Sequence, residues 1–370
     1  MTAPRIEMDL KKIRHNTQCL VERLDIRGIN VTGVTKGVCG YPAVAQAMLD
    51  GGATGLAESR IKNIERLRKA GITASITMIR TPMLSEAEQI VRLCDTSCNT
   101  ELEVIARLAM EARKRKTVHN IILMVEMGDL REGIRPKYLT AIAEQVTKMP
   151  GVALKGIGAN FACLGGMVPN AARMASLSAL ADETESACSP FLERVSGGNS
   201  ANLPWALNTE TTGRINDLRL GEAILLGVDP VSGDQIGGLH TDAFTLVAEV
   251  IETKVKPDPG YLSFVNPEYA ALRPVPDNNL TMRSILAVGL QDTDTYGLCF
   301  PKGITFLGAT SDHLVVQTNL SALRPGAELR FQLNYSALMR AMAAPDIAKV
   351  LLEDQPLPKS LSTRPRLMLV

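Results

Sequence analysis

Aromatic side chains are scarce: Phe, Trp and Tyr together make up 4% of the 370 residues. A chain so poor in π faces is a weak candidate for stacking nucleic-acid bases. An excess of charge of either sign is also missing. The formal net charge is +1, so neither nucleic acid nor an anionic membrane is expected as a partner. No uninterrupted apolar stretch approaches the roughly 20 residues of a membrane span. The start, Met1-Thr2-Ala3-Pro4-Arg5, lacks the apolar core of an export signal. The seven cysteines form no even framework, which predicts a reducing, cytoplasmic setting. Cys94 and Cys98 have no matching Cys/His pair nearby, so no metal site is expected.

What remains is the composition of an ordinary globular protein, 45% hydrophobic and 21% charged. A chain of 370 residues is long for a single core, and two domains are expected. From residue 29 to 230 a strand-then-helix pattern recurs about eight times. The strands are expected to end near Lys36, Ser59, Arg80 and Asn99, then over Ile121 to Gly128, Leu154 to Phe161, Leu192 to Ser200 and Leu218 to Gly227. Helical patterns such as Ile61 to Lys69 and Pro136 to Lys148 lie between them. This predicts an α/β protein with an N-terminal (β/α)8 barrel over 11–235. A doubly wound open sheet is the structural runner-up. After 236 short strand-like runs alternate with Pro/Gly/Asn/Asp clusters at 256–260, 274–279 and 324–326. This predicts an all-β C-terminal domain over 236–370. The alternating run Arg5 to Leu10 is expected to join that sheet as an N-terminal strand from 1–10.

In a parallel barrel the chemistry sits where the strands end. The first strand delivers Lys36, and a buried amine there would be costly to charge and primed as a nucleophile. The fifth runs into Gly128-Asp129-Leu130-Arg131-Glu132-Gly133, and the sixth ends at Asn160. The seventh gives Ser196-Gly197-Gly198-Asn199-Ser200, and the eighth gives Arg219-Leu220-Gly221-Glu222. Glycines, a hydroxyl and an arginine suit a phosphate. An amine and a phosphate site on one face point to pyridoxal 5'-phosphate.

With these runs in place, the chain resembles the alanine racemase-like, barrel-type (fold type III) pyridoxal-phosphate enzymes, in the ornithine/lysine racemase branch. Gln291-Asp292-Thr293-Asp294 and Ser311-Asp312-His313-Leu314 extend the resemblance into the second domain. The resemblance implies that Lys36 is the Schiff-base lysine and one acid/base group. It implies that Arg131 contacts the cofactor's phenolic oxygen, and that Asn160 replaces a histidine against the ring. Ser200, the backbone of Gly221 and Glu222, and Tyr335 would hold the phosphate. Arg219 would sit beside the pyridine nitrogen. A guanidinium there offers only donors and leaves that nitrogen unprotonated, which suits racemisation. Ser311 and Asp312 match the segment that meets the substrate carboxylate.

The resemblance further implies a small amino-acid substrate, a basic one such as lysine, ornithine or arginine, and a homodimer. Alanine racemase and a non-catalytic pyridoxal-phosphate carrier are the alternatives. One departure stands out. Alanine racemases place a second base, a tyrosine from the partner subunit, where this chain has Leu290. Leucine carries no exchangeable proton. Either another residue replaces it, with Tyr296, Asp292, Asp294, Asp312, His313 and Cys163 as candidates, or one base works both faces.

Overall fold

The computed structural model describes residues 3–164, 166–188, 191–257, 280–318 and 323–352. Strand β1 (Arg5–Met8) is followed by the helix Leu10–Asp25. Asp9 caps that helix, its carboxylate accepting from the backbone N–H groups of Lys11 and Lys12 at 3.1 and 3.2 Å. Eight parallel strands then close into a barrel, each joined to its neighbour in chain order. They are β2 (Asn30–Val34), β3 (Gly55–Glu58), β4 (Ile76–Met78), β5 (Thr96–Asn99), β6 (His119–Val125), β7 (Val152–Ala159), β8 (Arg194–Ser196) and β9 (Asp217–Leu220). β9 pairs back onto β2, Asn30 opposite Asp217 and Gly33 opposite Leu220.

The barrel strands read as near-continuous apolar runs because helices cover the outside and packed side chains fill the inside. β6, His-Asn-Ile-Ile-Leu-Met-Val, is buried at every residue but Asn120. Inside the barrel Cys98, Ile122 and Met124 form a small apolar cluster separate from the main core. One irregularity has a visible cause. The β6–β7 register passes from Ile121–Leu154 to Ile122–Gly156, leaving Lys155 unpaired. Gly156 also lies against β8, where an added Cβ would fall 2.0 Å from the Arg194 carbonyl oxygen. Only glycine permits that approach.

The second sheet has the order β12-β15-β10-β11-β14-β13, with β1 and β16 paired off its side. Its strands are β10 (Phe244–Pro257), β11 (Leu280–Leu286), β12 (Leu298–Cys299), β13 (Ile304–Ala309), β14 (Leu314–Thr318), β15 (Glu328–Leu333) and β16 (Ala348–Leu351). β15 alternates exposed and buried along its whole length, the pattern of a sheet with one wet face. β1 lies antiparallel to β10 and parallel to β16.

Two expectations need correction. The run Leu218 to Gly227 is not one strand: β9 stops at Leu220 and Glu222–Leu226 is helical. An apolar run of that length fits a buried strand or a buried helix equally. The C-terminal region is not purely β either, because a helix spans Tyr335–Ala343, capped by the Asn334 side chain on the Ala337 N–H at 2.9 Å. Residues 258–260 and 274–279, read as turns, lie outside the described residues.

A charged cluster pins β1 into the sheet. Arg5 pairs with Glu7 at 2.8 Å and with Glu328 at 2.6 Å, and Arg330 also reaches Glu7. Burial alone would raise the Glu7 carboxyl, but the guanidinium groups of Arg330 and Arg5 outweigh it and hold it below its ordinary 4.5. Its contribution is therefore complete above pH 4.5 and is lost as pH falls through the lowered folded value. Glu7→Gln should reduce the unfolding free energy at pH 7 by about 3 kcal/mol, the low end for a broken buried pair because Arg5 keeps Glu328. In urea titrations that gap should close as the pH is taken well below 4.5. An unchanged midpoint at pH 7 would show the cluster to be ornamental.

Candidate active site at the barrel mouth

A cavity of about 690 Å³ opens where the barrel strands end, lined among others by Lys36, Arg131, Asn160, Ser200, Arg219 and Tyr335. Gly221 and Glu222 line it too. The volume is in the range of small-cofactor sites.

Lys36 does not end its strand as expected. β2 stops at Val34, and Lys36 begins a short 3-10 turn, Lys36–Val38. Its side chain is exposed toward the cavity rather than buried, so desolvation is not what primes the amine in the free protein. The turn is held from the neighbouring strand. Thr35 donates its N–H to Ala57 O at 3.0 Å and its hydroxyl to Glu58 Oε2 at 2.9 Å. Glu58 is fully buried, and its other oxygen accepts the Ser59 N–H at 2.6 Å. The carboxylate thus latches the residue that precedes Lys36.

Arg219 is 6% exposed and anchors a polar chain through the barrel. One of its η nitrogens donates to Ser196 Oγ. The other donates to Ala159 O at 2.8 Å and to Asn160 Oδ1 at 2.7 Å. Ser196 in turn donates to Asp217 Oδ2 at 2.5 Å, and Thr32 donates to Asp217 Oδ1 at 2.6 Å. Buried charge is tolerated when it is balanced and fully hydrogen-bonded, and Asp217 balances Arg219 through the serine. On the open side Asn160 donates to Glu132 Oε1 at 3.1 Å, and Arg131 Nη2 donates to that same oxygen at 2.6 Å. One chain of contacts therefore links the two arginines.

Ser200 is 3% exposed, and its hydroxyl accepts from the Ala223 N–H at 3.2 Å. This sets the hydroxyl beside Gly221 and Glu222. The Glu222 carboxyl also lines the cavity, and burial pushes it up to about 7 against the pull of Lys36. Tyr335 comes from the second domain of the same chain. Burial first, then the Glu222 and Glu58 charges, push its phenol well above its ordinary value, so it stays a protonated donor. Its ring rests on the lysine turn: a Cβ at Gly37 would lie 2.9 Å from the ring and 3.0 Å from the hydroxyl.

Ser311 and Asp312 are not among the residues lining this cavity. They form an exposed tip of the second domain together with Leu290, which is 45% exposed. The Leu290 N–H donates to Thr310 O at 2.9 Å, and Gln291 Nε2 donates to Asp312 Oδ1 at 3.1 Å. Sequence reasoning missed Glu58, Ser196 as an arginine partner, and Asp217. Their partners sit on neighbouring strands, and only the barrel register brings them together.

Chemically, the mouth offers an amine, a cluster of anion donors and a buried guanidinium. An aldehyde-bearing phosphate ester fits that donor set. Fold and site define a two-domain scaffold, a (β/α)8 barrel with a β domain that reaches back to its mouth. The particular family follows from comparison. Residues 8–230 match the family model "Alanine racemase, N-terminal domain". The chain is 35% identical over 352 residues to a lysine racemase of Thermotoga maritima, covering 95% of this chain and 99% of that protein. It is 32% identical to an ornithine racemase of Acetoanaerobium sticklandii, covering 94% and 99%. Among solved structures, the alanine racemase of Streptomyces lavendulae superposes with a TM-score of 0.74 at 17% identity, covering 96% of this chain and 99% of that one. The D-threonine aldolase of Filomicrobium marinum gives 0.73 at 15% identity, covering 95% and 91%. The chain belongs to the alanine racemase family.

Two measurements test the site's construction. Ser196→Ala strands a carboxylate oxygen of Asp217 and an Arg219 N–H, and should cost about 2–3 kcal/mol in denaturant unfolding. A cost near zero would mean that the chain through Ser196 is not needed. Glu222 binds its proton more tightly folded than unfolded between its ordinary 4.5 and about 7. Folding is therefore penalised increasingly as pH rises across that window. In the cofactor-free protein, Glu222→Gln should raise Tm relative to the parent by an amount that grows from pH 4.5 to 7 and then levels. A pH-independent difference would refute the burial argument.

Proposed function

We propose that the protein is a pyridoxal-phosphate-dependent racemase of basic amino acids, interconverting L- and D-lysine and ornithine. The observation that carries the reading is one cavity holding the Lys36 amine, a buried Arg219 and the Ser200–Gly221–Tyr335 group of anion donors. Full-length similarity to a lysine and an ornithine racemase supports the substrate class.

In this reading Ser200, Tyr335 and the backbone at Gly221 and Glu222 hold the phosphate. Arg131 meets the phenolic oxygen, and Arg219 meets the ring nitrogen. When bound, pyridoxal phosphate supplies an aldehyde to the amine and a ring that accepts the electron pair left by a departing α proton. The chain does the rest. Lys36 Nζ takes or returns that proton on its own face. Arg219 has no proton to lend at neutral pH, which keeps the ring a modest electron sink and favours return of the proton to the same carbon. Asn160 and Glu132 hold the two arginines in register.

The same reading makes the protein a homodimer. Leu290 and Tyr296 are exposed on the second domain, and Leu130, Leu164 and Val168 are exposed on the loops beyond β6 and β7. A partner's domain laid over the mouth would cover both sets and bring its Ser311 and Asp312 to the substrate. A cytoplasmic setting fits the seven cysteines, all free. Among the described residues no helix is long and apolar enough to cross a membrane, and no cluster of metal ligands occurs.

Proton NMR in heavy water with added cofactor tests the reading. Lysine and ornithine should lose their α-proton signal and yield the other enantiomer on a chiral column, whereas Lys36→Ala should fall by about 10²-fold or more. Exchange with alanine alone would remove the basic-substrate assignment. No exchange with any amino acid would turn the protein into a cofactor carrier.

A further inference from the structure

We propose that the Cys163 thiol is the second proton carrier of the reaction, acting across the barrel mouth from Lys36. The inference deepens the racemase reading and rests on it. A two-base racemisation needs a group on each face of the planar carbon, and Leu290 brings none. Of the six side chains the sequence offered as replacements, only Cys163 lines the cavity of its own chain. Tyr296 is 80% exposed on the second domain, its ring edge-on to Phe306. Asp292 accepts the Gly289 N–H at 2.9 Å, and Asp294 caps the turn at Tyr296. Asp312 and His313 lie on the exposed tip with Ser311.

The position of Cys163 is built rather than incidental. β7 ends at Ala159, and Ala162 turns the chain with φ +54°, a left-handed conformation costly for a residue with a Cβ. Asp129, 3% exposed, fixes the turn by accepting the Cys163 and Leu164 N–H groups on one oxygen at 2.9 and 3.0 Å. The sulfur itself has a donor and an acceptor. Asn199 Nδ2 points to it at 3.4 Å, and the thiol faces Phe161 O at 3.4 Å. The amide steadies a thiolate and the carbonyl steadies a thiol, so both protonation states are accommodated. In the closed barrel β7 is three strands from β2, by way of β8 and β9. Lys36 and Cys163 therefore rise from well-separated points of the rim.

The protons balance. In one direction the Cα–H bond breaks toward the Lys36 amine, the electron pair stays with the substrate carbon and its cofactor, and the Cys163 S–H bond breaks to form the new Cα–H bond. Lys36 is left protonated and Cys163 as thiolate, and exchange with water resets the pair. The reverse reaction starts from the thiolate. Thiols as a class titrate at about 8.5, near enough to working pH to serve in both roles.

The test uses the full-length holoenzyme with L- and D-lysine in heavy water. The parent should exchange the α proton of both enantiomers. Cys163→Ala and Cys163→Ser should lose racemisation by about 10²–10⁴-fold while still exchanging one enantiomer, the one Lys36 serves, at close to the parental rate. An unchanged cofactor absorbance spectrum would show the site intact. A second readout needs no turnover. In a Cys299→Ser background, which removes the other exposed cysteine, iodoacetamide should label Cys163 in the cofactor-free protein, and cofactor plus lysine should block it. Variants that racemise at the parental rate, variants that lose both exchanges equally, or a Cys163 that resists labelling would each overturn the role and leave the racemase standing. A parent that exchanges neither enantiomer would bring down both readings together.

Discussion

A guanidinium buried at the heart of a barrel sets the terms for the rest of this molecule. Arg219 does not shed its proton and is almost wholly buried, touching solvent only where it lines the cavity, so the barrel must supply most of its partners. The direct partners are Ser196 on β8 and, at the end of β7, the Ala159 carbonyl and Asn160, while Asp217 on β9 and Thr32 on β2 continue the chain behind Ser196. Those strands are held in register by the same contacts that satisfy the charge. A one-residue slip of β9 against β2 would separate Thr32 from Asp217, and a slip of β9 against β8 would separate Ser196 from both Asp217 and Arg219. The polar layer is thus a reason for the register as well as a product of it.

Much of the barrel is legible in the sequence because parallel strands buried on both faces write themselves as apolar runs. The catalytic ends follow, since a barrel presents chemistry at one rim only. Lys36, Arg131, Asn160, Ser200 and Arg219, read from the strand ends, share one cavity with Tyr335, which only the resemblance had pointed to. What escaped the sequence was of two kinds. The helix Tyr335–Ala343 sat in a region scanned for a period of two, and its signal was Asn334, a capping residue followed by Ala, Leu and Met. Glu58, Asp217 and Asp129 escaped for a deeper reason. A buried carboxylate acquires meaning from partners on other strands, and a one-dimensional reading has no access to cross-strand neighbours.

The second domain is more than an appendage. Its helix puts Tyr335 on the Gly37 turn of its own barrel, while its other tip, with Leu290, Ser311 and Asp312, faces away. The same domain therefore builds the floor of one site and presents a surface shaped for use elsewhere. At Leu290 that tip carries no exchangeable proton, although Asp312 and His313 lie close by.

The strand β1 carries a consequence for how the molecule comes into being. Its neighbours are β10 and β16, with Arg5 opposite Val247 on one side and Ala348 on the other. Strand β1 thus finds one of its neighbours only after the barrel and most of the second sheet have been made. Within the barrel all pairs but the closing one, β9 onto β2, join strands consecutive in sequence. The barrel is free to close before β16 is made, but the sheet that seats Tyr335 is not. The order of manufacture leaves the barrel mouth without its Tyr335 wall until the second domain has been made.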